Sequence, residues 1–225
     1  FNILKALNLI HQKGSKDLTI KQILELHKIV MSDLTAKDDL GNFRIDTGAI
    51  FNSVGIAIYL PPRPSQLIPL INKLVNFINS SKEIFVPIRA CLAHYGFEKI
   101  HPFLDGNGRV GRLLIQAVLQ KSGYGMKGLI PIEEYLDNNR SEYYSALEDT
   151  EKDVTDYLEF MLEAIEKTAL KARELVLEKQ QVETEDYLLP RRAEILNIIR
   201  EHRLVTFDSI RRRFIGIPDR TLSYD

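Results

Sequence analysis

The chain has 225 residues, 44% of them apolar and 27% charged, with a net charge of −1. That is the composition of a soluble folded protein and not of a disordered one. No apolar run approaches the ~18–20 residues of a membrane span, so no membrane association is expected. The single cysteine, Cys91, excludes an internal disulfide and a Cys-rich zinc site, which suits a reducing, cytoplasmic setting. The first residue is Phe1 and not Met, so the expectation is that further chain precedes it. Charge is uneven. Residues 190–225 carry eight arginines against five acids, a net of +3, and the preceding body carries −4. A basic module behind an acidic body implies two units.

No repeat with a period of 20–50 residues is present. Ile3, Leu7 and Ile10 share one helical face and Gly14 ends it, so residues 1–13 are predicted to be helical. The period returns over residues 19–33 through Ile20, Ile23, Leu24, His27 and Val30, and residues 35–49, rich in Asp, Gly and Thr, read as loop. Residues 50–60 (IFNSVGIAIYL) are the one strand candidate, a short hairpin closed by Pro61, Pro62 and Pro64. Helical spacing resumes at Leu67, Ile71, Leu74, Val75 and Ile78, then at Ile88, Cys91, Leu92 and Tyr95. It appears again over about 106–121 at Val110, Leu113, Leu114, Ala117 and Val118.

Residues 132–149 are predicted as a single helix carrying Tyr135, Tyr143, Tyr144 and Leu147. Residues 153–181 form the longest one, with Val154, Leu158, Met161, Leu162, Ile165 and Ala169 as its inner stripe. Residues 182–189 lose the period and read as a polar linker. Short helices at 193–202 and 207–214 follow, and Ile217-Pro218 opens a third. The expectation is a mainly α protein with one small β element, divided into residues 1–181, a linker at 182–189 and a module at 190–225.

The chemistry is concentrated in His101-Pro-Phe-Leu-Asp105-Gly-Asn-Gly-Arg109-Val-Gly-Arg112. Gly106, Gly108 and Gly111 formally match the G-x-G-x-x-G dinucleotide fingerprint. That motif needs a preceding strand, whereas a helix precedes it here, and the Gly-Lys-Ser/Thr of a P-loop is absent. The anion logic survives the change of fold. Glycines let the backbone approach a ligand closely, and the first N–H groups of a starting helix favour an anion. Arg109 and Arg112 suit phosphate oxygens. Asp105 is a hard oxygen ligand suited to Mg²⁺ shared with phosphates. His101 is a base for neutral pH. The bland alternative is a helix N-terminus capped by Asp105 or Asn107, with surface arginines and a buried histidine. Taken together, phosphate cradle, metal ligand, base and two arginines describe phosphoryl or nucleotidyl transfer.

These twelve residues also resemble the signature of Fic-domain proteins, His-Pro-Phe-x-Asp/Glu-Gly-Asn-Gly/Lys-Arg-x-x-Arg, at every defined position. Ala93-His94-Tyr95-Gly96-Phe97-Glu98 resembles that family's approach to the motif. Tyr59-Leu60-Pro61-Pro62 lies where the family has a hairpin flap, and Asn139-Arg140 and Tyr143-Tyr144 are similar to the segment bordering the nucleotide base and ribose. The resemblance covers about residues 1–181 and implies a helical bundle with a β-hairpin flap. It implies transfer of AMP from ATP to a Ser, Thr or Tyr hydroxyl of a target protein. His101 would take the proton and Asp105 would hold Mg²⁺. Gly106, Asn107 and Gly108 would form the anion hole, with the Asn107 side chain on the α-phosphate. Arg109 and Arg112 would contact the outer phosphates, Gly111 would lie in the same turn, and Asn139 and Tyr144 would line the nucleotide pocket. The target would pair along the flap near Ile56 to Tyr59, and two copies could form a homodimer. Relatives that move other phosphate-linked groups, or remove AMP, carry related motifs.

His94, on the helix before the motif, is expected to be buried or capping. His11, His27 and His202 read as structural, and Cys91 as a buried inert thiol. Residues 190–225 resemble part of a winged helix-turn-helix, which implies a DNA or protein partner. A DNA-binding regulator with a Fic-like sensor body is therefore the alternative function. The family's inhibitory motif, Ser/Thr-x-x-x-Glu-Gly/Asn, does not occur, since no Glu here is followed by Gly or Asn. The resemblance puts that helix, whose Glu would clamp Arg112, upstream of Phe1.

Overall fold

The computed structural model describes residues 2–14, 16–51, 57–80, 85–125, 132–148, 153–186, 189–202 and 205–224. Helix starts follow local chemistry. Thr19 and Gln22 form a reciprocal capping box ahead of α2 (Ile20–Val30), which follows α1 (Asn2–Lys13). Proline stands in the first turn of α3 (Pro64–Asn79) and of α4 (Val86–Ile100), where its missing N–H costs nothing. After α4 come α5 (Asn107–Lys121), α6 (Ile132–Asn138), α7 (Arg140–Glu148) and α8 (Thr155–Asp186). The mainly α expectation holds.

Between α2 and α3 lie two short strands, β1 (Ile50–Phe51) and β2 (Ala57–Tyr59). They pair antiparallel with Ile50 opposite Tyr59 and Phe51 opposite Ala57, so one extra residue on β2 makes a bulge. Ile56, which the sequence reading placed in the flap, lies outside the described residues.

Helix α5 is the centre of the larger unit. Val110, Leu113, Leu114, Ile115, Val118 and Leu119 are all buried, covering more than one face, as befits a helix enclosed by others. Its most extensive packing is on α4, to which a six-residue loop (101–106) connects it, and α1 and α2 also lie against it. Phe97, Ile100 and Phe103 close the core under the loop.

Three sequence expectations need revision. The single helix over 132–149 is two, broken at Asn139. There the side-chain amide donates to the carbonyl of Tyr135 at 2.8 Å and competes with the regular ladder. The buried stripe of α8 is Tyr157, Met161, Ala164, Ile165, Thr168 and Ala172. Met161 and Ile165 are buried as expected and Leu158 and Leu162 pack half-buried against the core, but Tyr157, Ala164, Thr168 and Ala172 are buried where the expected stripe does not place them. The helix also continues to Asp186, through part of the segment read as linker.

The chain divides into two units, Phe1–Ala172 and Arg173–Asp225. The boundary falls where the inner stripe of α8 ends. Leu175, Val176 and Leu177 beyond it are exposed. The smaller unit contains α9 (Pro190–Glu201), α10 (Phe207–Arg213) and α11 (Asp219–Leu222), with Ile195 and Leu222 buried. Its arginines include internal ion pairs, Arg211 with Asp219 at 2.9 Å and Arg213 with Glu194 at 3.4 Å.

Asn79, at the end of α3, accepts from the Leu18 N–H (2.9 Å) and donates to the Leu18 carbonyl (2.8 Å). Lys121, at the end of α5, donates to the same Asn79 oxygen (3.0 Å) and to Asp17 (2.7 Å). One amide thus joins three segments. Replacing it strands two half-buried backbone groups, so Asn79→Ala should lower the unfolding free energy by about 1–3 kcal/mol in urea titrations.

Candidate active site

Helix α4 ends at Ile100, and His101 is its C-cap, in the left-handed region at φ 48 and ψ 59. A non-glycine residue there is strained by about 1–3 kcal/mol, and its surroundings must hold it. They do so through several hydrogen bonds. The His101 N–H donates to the Phe97 carbonyl (2.9 Å). The Arg44 Nε–H donates to the His101 carbonyl (2.8 Å), and the Arg44 backbone N–H to the Pro102 carbonyl (2.9 Å). The imidazole Nδ1 faces the Glu98 carbonyl at 3.3 Å, which only a protonated Nδ1 can satisfy. Burial lowers the pKa of His101, and the nearby Arg44 cation lowers it further, against the opposing pull of the Glu98 carbonyl and Asp105. The ring is therefore neutral at pH 7, and its Nε2 lone pair has no hydrogen-bond partner among the described residues, so it can accept a proton.

The loop from His101 to Gly106 is shaped from within. The Asn107 side chain accepts from the Phe103 N–H and donates to the Phe103 carbonyl, both at 2.8 Å. Asn107 is buried and both of its amide atoms serve the loop, so its backbone N–H is what it offers a ligand. Gly106 turns the chain at φ 80, and a Cβ there would run into the Met31 side chain. The Val110 N–H is the first to reach a carbonyl of the turn, that of Gly106 (3.1 Å). The N–H groups of Asn107, Gly108 and Arg109 precede that ladder, at the positive end of the helix.

Asp105 is exposed, and one of its carboxylate oxygens accepts from the Gly106 N–H at 2.6 Å. Its carbonyl receives the Nε2–H of His27 (3.1 Å), while His27 Nδ1 accepts from the Gly41 N–H (2.9 Å). The His27 ring stacks on Phe103 at 3.8 Å. His27 is structural, as read, and what it supports is this loop. Burial lowers its pKa and keeps it neutral.

The two motif arginines have different surroundings. Arg109 lies over Met31, with Nη1 3.6 Å from the sulfur. Arg112 sits among acids. Its charge acts on Glu98 of α4, on Glu133 of α6 and on Tyr143 of α7. Arg112 Nε and Glu98 Oε1 are both buried without a hydrogen-bond partner. The Glu98 carboxyl occupies the space that Gly111 leaves open, because a Cβ on Gly111 would run into Oε1. Burial pushes Glu98 up to about 7, opposed by Arg112.

Behind Arg112 runs a buried chain of polar groups that the sequence did not reveal. The Tyr157 hydroxyl donates to the Cys91 carbonyl (3.1 Å), which spends its only proton. Its 2.6 Å contact with His94 Nδ1 is therefore a bond donated by His94. His94 Nε2 then accepts from the Tyr143 hydroxyl (3.2 Å), and Tyr143 lies in the field of the Arg112 charge. Burial holds His94 down at about 3 and so neutral, and pushes the Cys91 thiol up to about 12, which leaves it inert. His94 is thus buried, as expected. Tyr144 is 54% exposed and its ring lies 5.3 Å from that of Tyr143, so α7 brings it beside the Arg112 group. Asn139 stands at the α6–α7 break with its amide N–H on Tyr135. Among the described residues no group of three or more His, Cys, Asp or Glu could hold a metal ion.

This arrangement defines a class. Residues 17–119 match the model of the Fic/DOC family. The protein named Protein adenylyltransferase Fic from Drosophila melanogaster is 36% identical over 155 residues, 68% of this chain and 29% of its own length. Its Drosophila virilis counterpart is 35% identical over the same length. The chain thus spans less than a third of those relatives. A Fic family protein from Desulfovibrio desulfuricans superposes with TM-score 0.67 and 23% identity, over 99% of this chain and 64% of the other. Fic-1 from C. elegans superposes with TM-score 0.57 and 26% identity, over 76% of this chain and 48% of the other. The chain carries a domain of the Fic/DOC family.

The buried pair His94 and Glu98 sets opposite pH dependences. Between about pH 6.5 and 3 the unfolded chain protonates His94 while the folded one does not, so stability falls on acidification. From about pH 4.5 to 7 the folded chain keeps a proton on Glu98 that the unfolded chain has released, so stability falls on alkalinisation. Urea titrations across pH 3–8 should show the alkaline slope flattened in Glu98→Gln and the acid slope flattened in His94→Gln.

Proposed function

We propose that this chain is the catalytic part of a protein adenylyltransferase, moving AMP from ATP to a Ser, Thr or Tyr hydroxyl of a target protein. The observation that carries this is a neutral imidazole with a free Nε2, held at the mouth of a helix N-terminus that is followed by two arginines. Nε2 accepts the hydroxyl proton as the oxygen bonds to the α-phosphorus. The bond from that phosphorus to the bridging oxygen breaks, and pyrophosphate leaves. The N–H groups of Asn107, Gly108 and Arg109 hold phosphate oxygens, Arg109 and Arg112 meet the outer phosphates, and Tyr144 stacks on the base. Asp105 offers an exposed carboxylate oxygen beside that cradle, which fits Mg²⁺ carried in by the phosphates and not a site built wholly of protein. The metal would neutralise phosphate charge.

The target is read by strand pairing along the β1–β2 hairpin. Residues 190–225 are proposed as part of a winged helix-turn-helix that selects partners. The curated relatives named adenylyltransferase support the reaction, and their greater length leaves target and setting to experiment.

Incubation with labelled ATP and a cell lysate tests the reaction. His101→Ala should cut labelling about 10²–10⁴-fold while nucleotide affinity stays near wild type. If affinity and rate fall together, His101 is structural. If wild type labels nothing yet binds DNA, the regulator reading takes its place. Asp105→Ala should weaken ATP binding in Mg²⁺, with no further loss on adding EDTA. Full wild-type activity in EDTA would remove the metal from the scheme.

A further inference from the structure

Arg44 lies in the loop after α2, remote in sequence from the motif, and is 7% exposed. Each of its three guanidinium nitrogens donates to a main-chain carbonyl. Nε–H donates to His101 O (2.8 Å), Nη1 to Asp46 O (2.9 Å) and Nη2 to Pro62 O (2.6 Å), while its own backbone N–H holds Pro102 O. No carboxylate among the described residues acts on it, and burial alone lowers its pKa. A buried cation satisfied only by carbonyl dipoles is costly, since its charge is left uncompensated. Structural purposes alone would be met by a neutral donor. The charge is directed at the imidazole next to the carbonyl it grips. The charged groups acting on the His101 ring are Arg44 and, from its own loop, Asp105; Glu98 acts through its carbonyl.

We propose that Arg44 is the positioning residue of His101: its fork locks the base in the left-handed conformation, and its buried charge holds a second cation off the ring. The first effect aims Nε2. The second keeps it unprotonated as an anionic nucleotide and the acid Asp105 draw protons toward the site. The fork also ties the exit of the hairpin, at Pro62, to the same carbonyl as the base. This inference rests on His101 being the base, and is tested on the imidazole itself.

The measurement is an NMR titration of the full chain without substrate, with the His101 signal identified by its loss in His101→Ala. In wild type it should titrate below 6.5, the ordinary histidine value. In Arg44→Gln, which retains a donor but no charge, the proton should bind about 3–10-fold more tightly. In Arg44→Lys, which retains charge but not the fork, the midpoint should stay near wild type while the labelling rate falls at least about 10-fold. An unchanged midpoint in folded Arg44→Gln overturns the electrostatic half, and an unchanged rate in Arg44→Lys overturns the geometric half. Where neither variant folds, the wild-type Arg44 Nε–H decides. Its exchange with solvent should be slow, and fast exchange overturns the proposal. A shifted midpoint with no labelling by any form would leave Arg44 in place and defeat the transfer reaction instead.

Discussion

The reversal of the chain between α4 and α5 depends on one side chain reaching back four residues. Asn107 pairs with both backbone groups of Phe103, and that small ring fixes where the helix begins relative to the loop before it. With it in place, Phe103 fills the core beneath, Gly106 turns against Met31, and the early N–H groups of α5 share one exit with His101. Without it, those groups would be six residues of loop with no fixed relation to one another. The backbone strain at His101 belongs to the same economy. It is tolerated because hydrogen bonds to the Phe97 and Glu98 carbonyls and from Arg44 converge on a single residue.

The interior of the larger unit is more polar than a helical bundle requires. Tyr157, His94 and Tyr143 hand hydrogen bonds along a buried line from α8 toward Arg112 on α5, and Glu98 fills the gap left by a glycine beside them. Such networks cost desolvation and are useful when every member is satisfied. Here two atoms are not, Arg112 Nε and Glu98 Oε1, and both lie at the end nearest the motif. The network is complete where it is structural and open at Arg112, where the proposed reaction places phosphate.

The sequence made the twelve-residue motif legible because its chemistry is contiguous: base, carboxylate, glycines and arginines all lie between positions 101 and 112. Helical periodicity gave most elements, but it fixes pitch better than phase, so the buried Tyr157 beside Leu158 lies outside the expected stripe. Nor does periodicity report a side chain that competes with its own backbone, which is why the break at Asn139 went unread. Arg44 stands in a stretch of Asp, Gly and Thr that signals only loop. Nothing local says that it spans from residue 46 to residue 101, since the carbonyls it binds are brought together by the fold. His27 carries the period of α2, so its tie to Asp105, 78 positions away, is hidden behind a role as core.

The ammonium of Lys99 sits over two aromatic rings, 4.9 Å from the centre of Tyr59 and 5.2 Å from that of Tyr95, and the Tyr59 hydroxyl donates to the Lys99 carbonyl at 2.8 Å. Tyr59 ends β2, and Lys99 is two residues before His101. The hairpin is thus riveted to the last turn of α4 by its final residue. An added strand would be laid against a ruler whose zero mark is fixed to the histidine. Reach would then be counted in residues along that strand, and an acceptor hydroxyl one position out of step would project to the opposite side of the ribbon.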